Sequence, residues 1–330
     1  MAYITGLLFG IIFGFAMQRT GVCFTGLIRD IYLLKYTSNI VLFFLIITVE
    51  GLIYYLMVLW GMVQMPSYLP PFSLLTIALG SFAFGFGAVM SSGCLSATLI
   101  KCGDGRLSGW IYLAVYMASA YLFAAGPAIS ISKAARGVAV VDDMLGIRTT
   151  VIPAAIFAVS SLALIVFAHK KGLKKQMRNS LILGVLLGLA FLVSEQTGRH
   201  FGVAISTPIM SWLYAITKPL ETCGGCNPYD EHIGWGSMLV LGMIMGSFIS
   251  AKSSGEFKFV KPKNKELLRG IPGAALMGFG AMWGLGCLMG NGIVGTSQMS
   301  LKSWYALPFL AAGIWTSTRI FLIPMMRDHS

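Results

Sequence analysis

Three cysteines stand where apolar stretches are interrupted. Cys23 lies in QRTGVCF, Cys94 in SSGCLS and Cys287 in GLGCLMGN. Two of these belong to a repeat: GFGAVMSSGCL at 85–95 and GFGAMWGLGCL at 278–288 share GFGA and GCL at the same spacing. A free thiol has a reference pKa near 8.5, and apolar burial keeps it protonated. Such thiols offer weak neutral S–H donors. Weak sites in series suit a polarizable anion that must bind and then leave. The bland alternative is that a buried cysteine is a small hydrophobe. The repeat and the flanking breaks argue against that reading here.

Other residues could join them. Arg19 precedes the first break, and Arg199 and His200 occupy TGRHF, which aligns with TGVCF and puts His200 opposite Cys23. Charge inside a membrane is costly, so it pairs, lines a cavity or reaches to the interface. Glu50 falls mid-helix in IITVEGLIYY and is expected as an ion-pair partner for Arg19, or else as a protonatable residue on a pathway. Cys223 and Cys226 form CGGC in a polar loop, either a disulfide staple or a redox pair. His232 beside them leaves a metal set one ligand short. No metal or cofactor is expected.

The elements that must position these residues are membrane helices. Of 330 residues, 56% are hydrophobic and 11% charged, against about 25% charged in soluble domains. Ile4 to Met17 lacks the basic start and cleavage site of a signal peptide. The balance of 24 Lys+Arg against 12 Asp+Glu gives +12. Most of that excess lies in two short loops and orients the chain; no basic–aromatic pattern points to nucleic acid.

Full-length apolar runs fall at 39–63, 108–126, 150–168, 234–251 and 303–325. Between them lie split pieces: 4–17 with 22–34, 72–90 with 94–101, 181–193 with 201–217, and 270–283 with 287–299. Irregular backbone inside hydrocarbon is tolerated only when it is buried or lines a wet cavity. Four such breaks at matching places predict a transporter-like site at the midplane. The expected fold is an all-α polytopic membrane protein with nine crossings and four broken or re-entrant segments. Residues 1–126 form a first repeat, 127–180 a linker with one transmembrane helix, and 181–330 a second, inverted repeat. Loops 169–180 and 252–269 carry the lysines and arginines and are expected in the cytoplasm, which puts the N-terminus outside and the C-terminus inside.

QRTGVCFTGLIRD, SSGCLSATLIKCGDG, TGRHFGVAI, GEFKFVKPKN and GFGAMWGLGCLMGNGIVGTSQMSLKSW together resemble the YeeE/YedE-type sulfur transport family of bacterial inner membranes. The likeness runs along nearly the whole chain in the same order. It implies an hourglass of helices with two internal repeats. It also implies thiosulfate uptake relayed along three thiols, here Cys23, Cys94 and Cys287, by transient S–H···S contacts without a covalent intermediate. Glu50 falls where the family carries a buried acid. A cytoplasmic sulfur-carrier or sulfurtransferase protein is the implied consumer. His200, the segment after Cys287, CGGC and Cys102 depart from the family pattern and leave the solute open between thiosulfate, a selenium oxyanion, sulfide and polysulfide. The rival of another class is a membrane thiol-disulfide or sulfur-exchange enzyme built on CGGC.

Overall fold

A computed structural model describes residues 2–34, 38–65, 71–124, 128–141, 150–197, 202–217 and 234–324. Its helices are α1 (Ala2–Thr20), α2 (Phe24–Leu34), α3 (Ser38–Leu59), α4 (Leu74–Met90), α5 (Leu95–Gly103), α6 (Leu107–Ala124), α7 (Ile129–Arg136), α8 (Val151–Lys170), α9 (Lys174–Glu195), α10 (Ser206–Thr217), α11 (Trp235–Ser253), α12 (Asn264–Trp283), α13 (Gly295–Ser297) and α14 (Leu301–Ser317). Wider π-helical turns precede α13 at Gly290–Val294 and follow α14 at Thr318–Leu322. A two-residue antiparallel pair, β1 (Phe72–Ser73) with β2 (Val140–Val141), sits ahead of α4. Ser73 then caps α4, its hydroxyl accepting from the Thr76 N–H.

Among the described residues, seven spans are long and apolar enough to cross a membrane. They coincide with the first seven of the nine expected crossings. α12, which opens on Lys265, Glu266 and Arg269, and the 17-residue α14 fall outside that set. α8 bares Val151, Ile152, Ile156, Val159 and Leu162. Patches of that kind on a helix with an apolar core partner belong in contact with hydrocarbon. The protein is therefore an all-α polytopic membrane protein.

Glycine lets the helices approach closely, as small residues do where lipid removes the hydrophobic drive. A Cβ at Gly10 would meet Leu239 O at 2.2 Å, and one at Gly242 would meet Leu7 O at 2.3 Å, so α1 and α11 pack backbone to backbone. The GFGA glycines do the same work twice. Gly85 faces Leu310 of α14 and Gly87 faces Gly273 of α12; Gly278 faces Tyr116 of α6 and Gly280 faces Gly80 of α4. The wider pairing follows one rule. α1 packs on α11 as α9 packs on α3, α4 on α14 as α12 on α6, α2 on α14 as α10 on α6, and α5 on α11 as α13 on α3.

One expectation is corrected. The first break does not split a helix midway. α1 has 19 residues, about 28 Å at 1.5 Å per residue, the thickness of a bilayer core. Its last carbonyl, Thr20 O, accepts from Asn179 Nδ2 near the start of α9 (3.2 Å). Gln18 Nε2 donates to Glu256 in the loop after α11 (2.8 Å). The first break thus lies level with the ends of full-length helices.

Candidate functional site

Cys23 and Cys94 immediately precede α2 and α5, Cys287 lies three residues before the π-helical turn at Gly290–Val294, and all three carbonyls accept in the same way. The N–H of Leu27 donates to Cys23 O (2.9 Å), that of Thr98 to Cys94 O (2.9 Å) and that of Asn291 to Cys287 O (2.8 Å). Helix starts favour Ser, Thr, Asp or Asn because their oxygens cap free N–H groups. Cys94 makes no such cap. The N–H three residues on faces each sulfur: Gly26 at Cys23, Ala97 at Cys94 and Gly290 at Cys287. At Cys287 the contact closes to 3.4 Å; at Cys94 the geometry stops short of a hydrogen bond.

The two glycine-cysteine breaks share their backbone in detail. Ser92 and Leu285 have φ of +59° and +50°, and Gly93 and Gly286 have +150° and +157°. The N–H of Gly93 reaches Ala88 O (2.7 Å) and that of Gly286 reaches Ala281 O (3.0 Å). These turns swing the following cysteine inward, and Cys94 and Cys287 are 3% and 1% exposed.

The structure gathers the thiols in an order. Cys23, which is half-buried, faces Cys94, and Cys94 lies within electrostatic range of Cys287. Cys94 Sγ is 3.1 Å from Ser96 Oγ, and the otherwise unpartnered Thr25 hydroxyl faces it. Cys287 is faced by Ser206 at the start of α10 and by Tyr116 of α6. All three are free thiols, and Cys102 is a fourth, buried away in α5 against Gly109. Glycine leaves room beside two sulfurs. A Cβ at Gly26 would sit 3.8 Å from Cys23 Sγ, and one at Gly290 would touch only Cys287 Sγ, at 4.0 Å.

The expected Arg19–Glu50 pair is not formed. Arg19 is exposed on α1 and lies over the Phe15 ring, 5.7 Å from its centre. Glu50 is 0% exposed in α3, with neither carboxyl oxygen hydrogen-bonded. Ser297 faces it but gives its proton to Val294 O (2.7 Å). The pair fails because α1 packs chiefly on α11 and α3 on α9, which leaves Arg19 exposed and Glu50 buried. Arg199, His200, Cys223, Cys226 and His232 lie outside the described residues. α10 begins at Ser206, and the carbonyl that accepts its first N–H is Ile205 O (3.4 Å, from Ile209). Among the described residues no cluster has the ligands for a metal ion.

A multi-pass helical membrane protein whose interrupted helices gather thiols and hydroxyls in the interior belongs to the class of transport proteins for small solutes. Comparison with known proteins narrows this: residues 19–316 match the family model described as sulphur transport, and the chain belongs to that family. It is 28% identical to the thiosulfate transporter TsuA of Escherichia coli (strain K12), covering 98% of this chain and 96% of that protein. Against the thiosulfate transporter TsuA of Spirochaeta thermophila it is 29% identical, over 94% and 97%. A 91-residue stretch is 32% identical to the probable transporter YedE of E. coli, covering 27% and 23%. The family and these relatives are transporters, not enzymes, and the likeness carried by the cysteine motifs is borne out.

Proposed function

We propose that this protein takes up thiosulfate, or a related small sulfur anion, across the bacterial inner membrane. The observation that carries the proposal is the ordered set Cys23, Cys94 and Cys287, each thiol free and each just ahead of a helical segment. The solute's sulfur would pass between S–H donors as transient S–H···S contacts, with no covalent bond made. Neutral donors hold an anion loosely enough to release it. The open N–H groups of the helix starts add partial positive charge. Arg199 and His200 remain candidate contacts at the second break of the first type, and Glu50 a protonatable pathway residue.

The architecture proposed for this task is an inverted repeat, 1–126 and 181–330, around the linker 127–180. Support comes from the shared backbone at the two breaks and from a helix pairing that maps onto itself when the halves are exchanged. α12 with its break and α14 would supply the last two of nine crossings. The basic loop 252–269 meets the turn after α5: Lys258 N donates to Asp104 O and Val260 N to Gly105 O, both at 3.3 Å. The excess of positive charge makes that side the cytoplasm, with the N-terminus outside and the C-terminus inside. A dianion moving inward opposes about 2.3 kcal/mol per charge per 100 mV. A consuming sulfur-carrier or sulfurtransferase protein in the cytoplasm would keep the flow downhill.

Labelled thiosulfate uptake into proteoliposomes tests the reading, with selenium and sulfide species as competitors. Wild-type protein is expected to transport thiosulfate, and Cys94→Ala and Cys287→Ala to stop it. An inert wild type would refute transport; full uptake by both variants would refute the relay.

A further inference from the structure

The two glycine-cysteine breaks share a backbone but not a charge. Before Cys94, the end of α4 leaves carbonyls without helical partners. The Lys101 ammonium folds back from α5 and donates to Ser91 O (3.2 Å) and Ser92 O (2.9 Å). Before Cys287, the corresponding carbonyl, Gly284 O, accepts from Asn291 Nδ2 (2.6 Å). Val294 occupies the position 193 residues beyond Lys101. A carboxamide therefore satisfies this kind of turn without charge. A cation inside a membrane protein is costly, so its presence at only one break calls for a reason beyond capping.

The geometry around Cys23 supplies one. Lys101 lies within electrostatic range of both Cys23 and Cys94, its ammonium held at the carbonyls of Ser91 and Ser92. Only two of its three protons are committed to the carbonyls. A Cβ at Gly93 would lie 4.0 Å from Lys101 Nζ and would clash with Ala97 Cβ at 2.8 Å, so the ammonium lies beside a closely packed turn. Arg29 of α2 approaches the same thiol. A Cβ at Gly26 would lie 3.8 Å from Cys23 Sγ and 4.0 Å from Arg29 Nη2, so the glycine keeps clear the space between sulfur and guanidinium. Asp30 engages Arg29 only through Nε (2.8 Å), which leaves the terminal amino groups for another acceptor. Cys287, by contrast, has neutral neighbours: Ser206, Tyr116 and the Gly290 N–H.

We infer that Lys101 and Arg29 form a cationic collar at the Cys23 end of the thiol path and retain a small dianion there more tightly than at Cys287. This rests on the reading of the thiols as an anion path. The sulfane end of the anion meets the Cys23 S–H. Its oxygen end meets the Lys101 ammonium and the planar donors of Arg29, which suit oxyanions. The asymmetry of the two breaks thus makes the two ends of the path unequal in affinity, with the tighter end at Cys23.

The collar can be read without transport. Cys23 is the half-exposed thiol of the four described, and Cys223→Ser with Cys226→Ser removes the loop pair. The purified protein is then labelled with an anionic methanethiosulfonate carrying a sulfonate, and with a cationic one carrying a trimethylammonium. Both depend alike on thiol ionisation, so the ratio of their rates reports the local field. The anionic reagent is expected to be faster. Lys101→Met or Arg29→Gln should cut the ratio by about tenfold or more, as unit charges within a few ångströms of a poorly solvated site demand, and Lys101→Arg should preserve it. Arg29→Gln leaves the break's hydrogen bonds intact and carries the test if Lys101→Met misfolds. An unchanged ratio in the folded variants would overturn the collar. Parallel thiosulfate uptake by the same variants should show a raised KM. A wild type that takes up no thiosulfate, with the ratio still falling in the variants, would uphold the collar and remove the transport reading.

Discussion

Ser92 and Leu285, 193 residues apart, are both held in left-handed backbone, with φ of +59° and +50°. Neither is glycine, and for a residue with a Cβ that conformation costs about 1–2 kcal/mol. Both turns therefore store strain to aim the next cysteine inward. Ser92→Gly should raise stability by up to about 1 kcal/mol, the relief being partly offset by glycine's entropy. Leu285→Gly should gain nothing, because Leu285 also packs on the Phe72, Ile77 and Ala306 cluster. Thermal unfolding in detergent separates the two.

The GFGA glycines are expected to be sites of packing. A Cβ at Gly280 would meet Gly80 O and Phe84 N, both at 2.5 Å and both backbone. Gly280→Ala should destabilise by about 1–3 kcal/mol, the usual range for overpacking. A midpoint within error of wild type would show that α4 and α12 can separate freely.

Gly290 should behave oppositely. A Cβ there touches only the Cys287 sulfur, at 4.0 Å. Gly290→Ala should leave the unfolding midpoint nearly unchanged, while narrowing the space beside the thiol and raising KM for thiosulfate. Unaltered kinetics would mean that the solute does not pass there.

Cys102 serves as the internal control for the thiols. It is as buried as Cys94, yet it packs in α5 against Gly109. Cys102→Ala should retain uptake in the assay that Cys94→Ala abolishes. Equal loss in both would point to a general defect in packing and not to a relay.

Glu50 lost its structural explanation when Arg19 proved to lie elsewhere. An intramembrane acid without a partner is a functional candidate by default. Glu50→Gln keeps the shape and should alter stability by less than about 1.5 kcal/mol, as volume-conserving swaps do, but it should lower uptake. Wild-type uptake by this variant would show that the carboxyl is idle.

Local features of the sequence marked much of the candidate site. Glycine beside polar residues marks where a helix must stop, and the repeated GFGA and GCL fix two such places at a common offset. The cysteines could be placed just ahead of helical segments because helix termination is a local property of backbone and side-chain type. The short first break misled for the same reason. QRTG is a local stop signal, and nothing local says whether the helix before it has already crossed the bilayer. Nothing local announces that the Lys101 ammonium folds back to Ser91 and Ser92, because that contact is a tertiary event. Ser206, Tyr116 and Thr25 carried no signal at all: serine, threonine and tyrosine recur along every helix, and only packing selects which ones face a thiol.

By itself the sequence determined the class, the broken helices and the three thiols, because hydropathy, glycine and spacing act along the chain. Only the tertiary structure decided which groups surround each thiol. It separated Arg19 from Glu50, since helix pairing follows glycine contacts between distant segments. It also put an ammonium at one break and a carboxamide at the other. Electrostatic fields depend on distance in space, and two breaks with the same backbone acquire different charge from the side chains that folding brings to them.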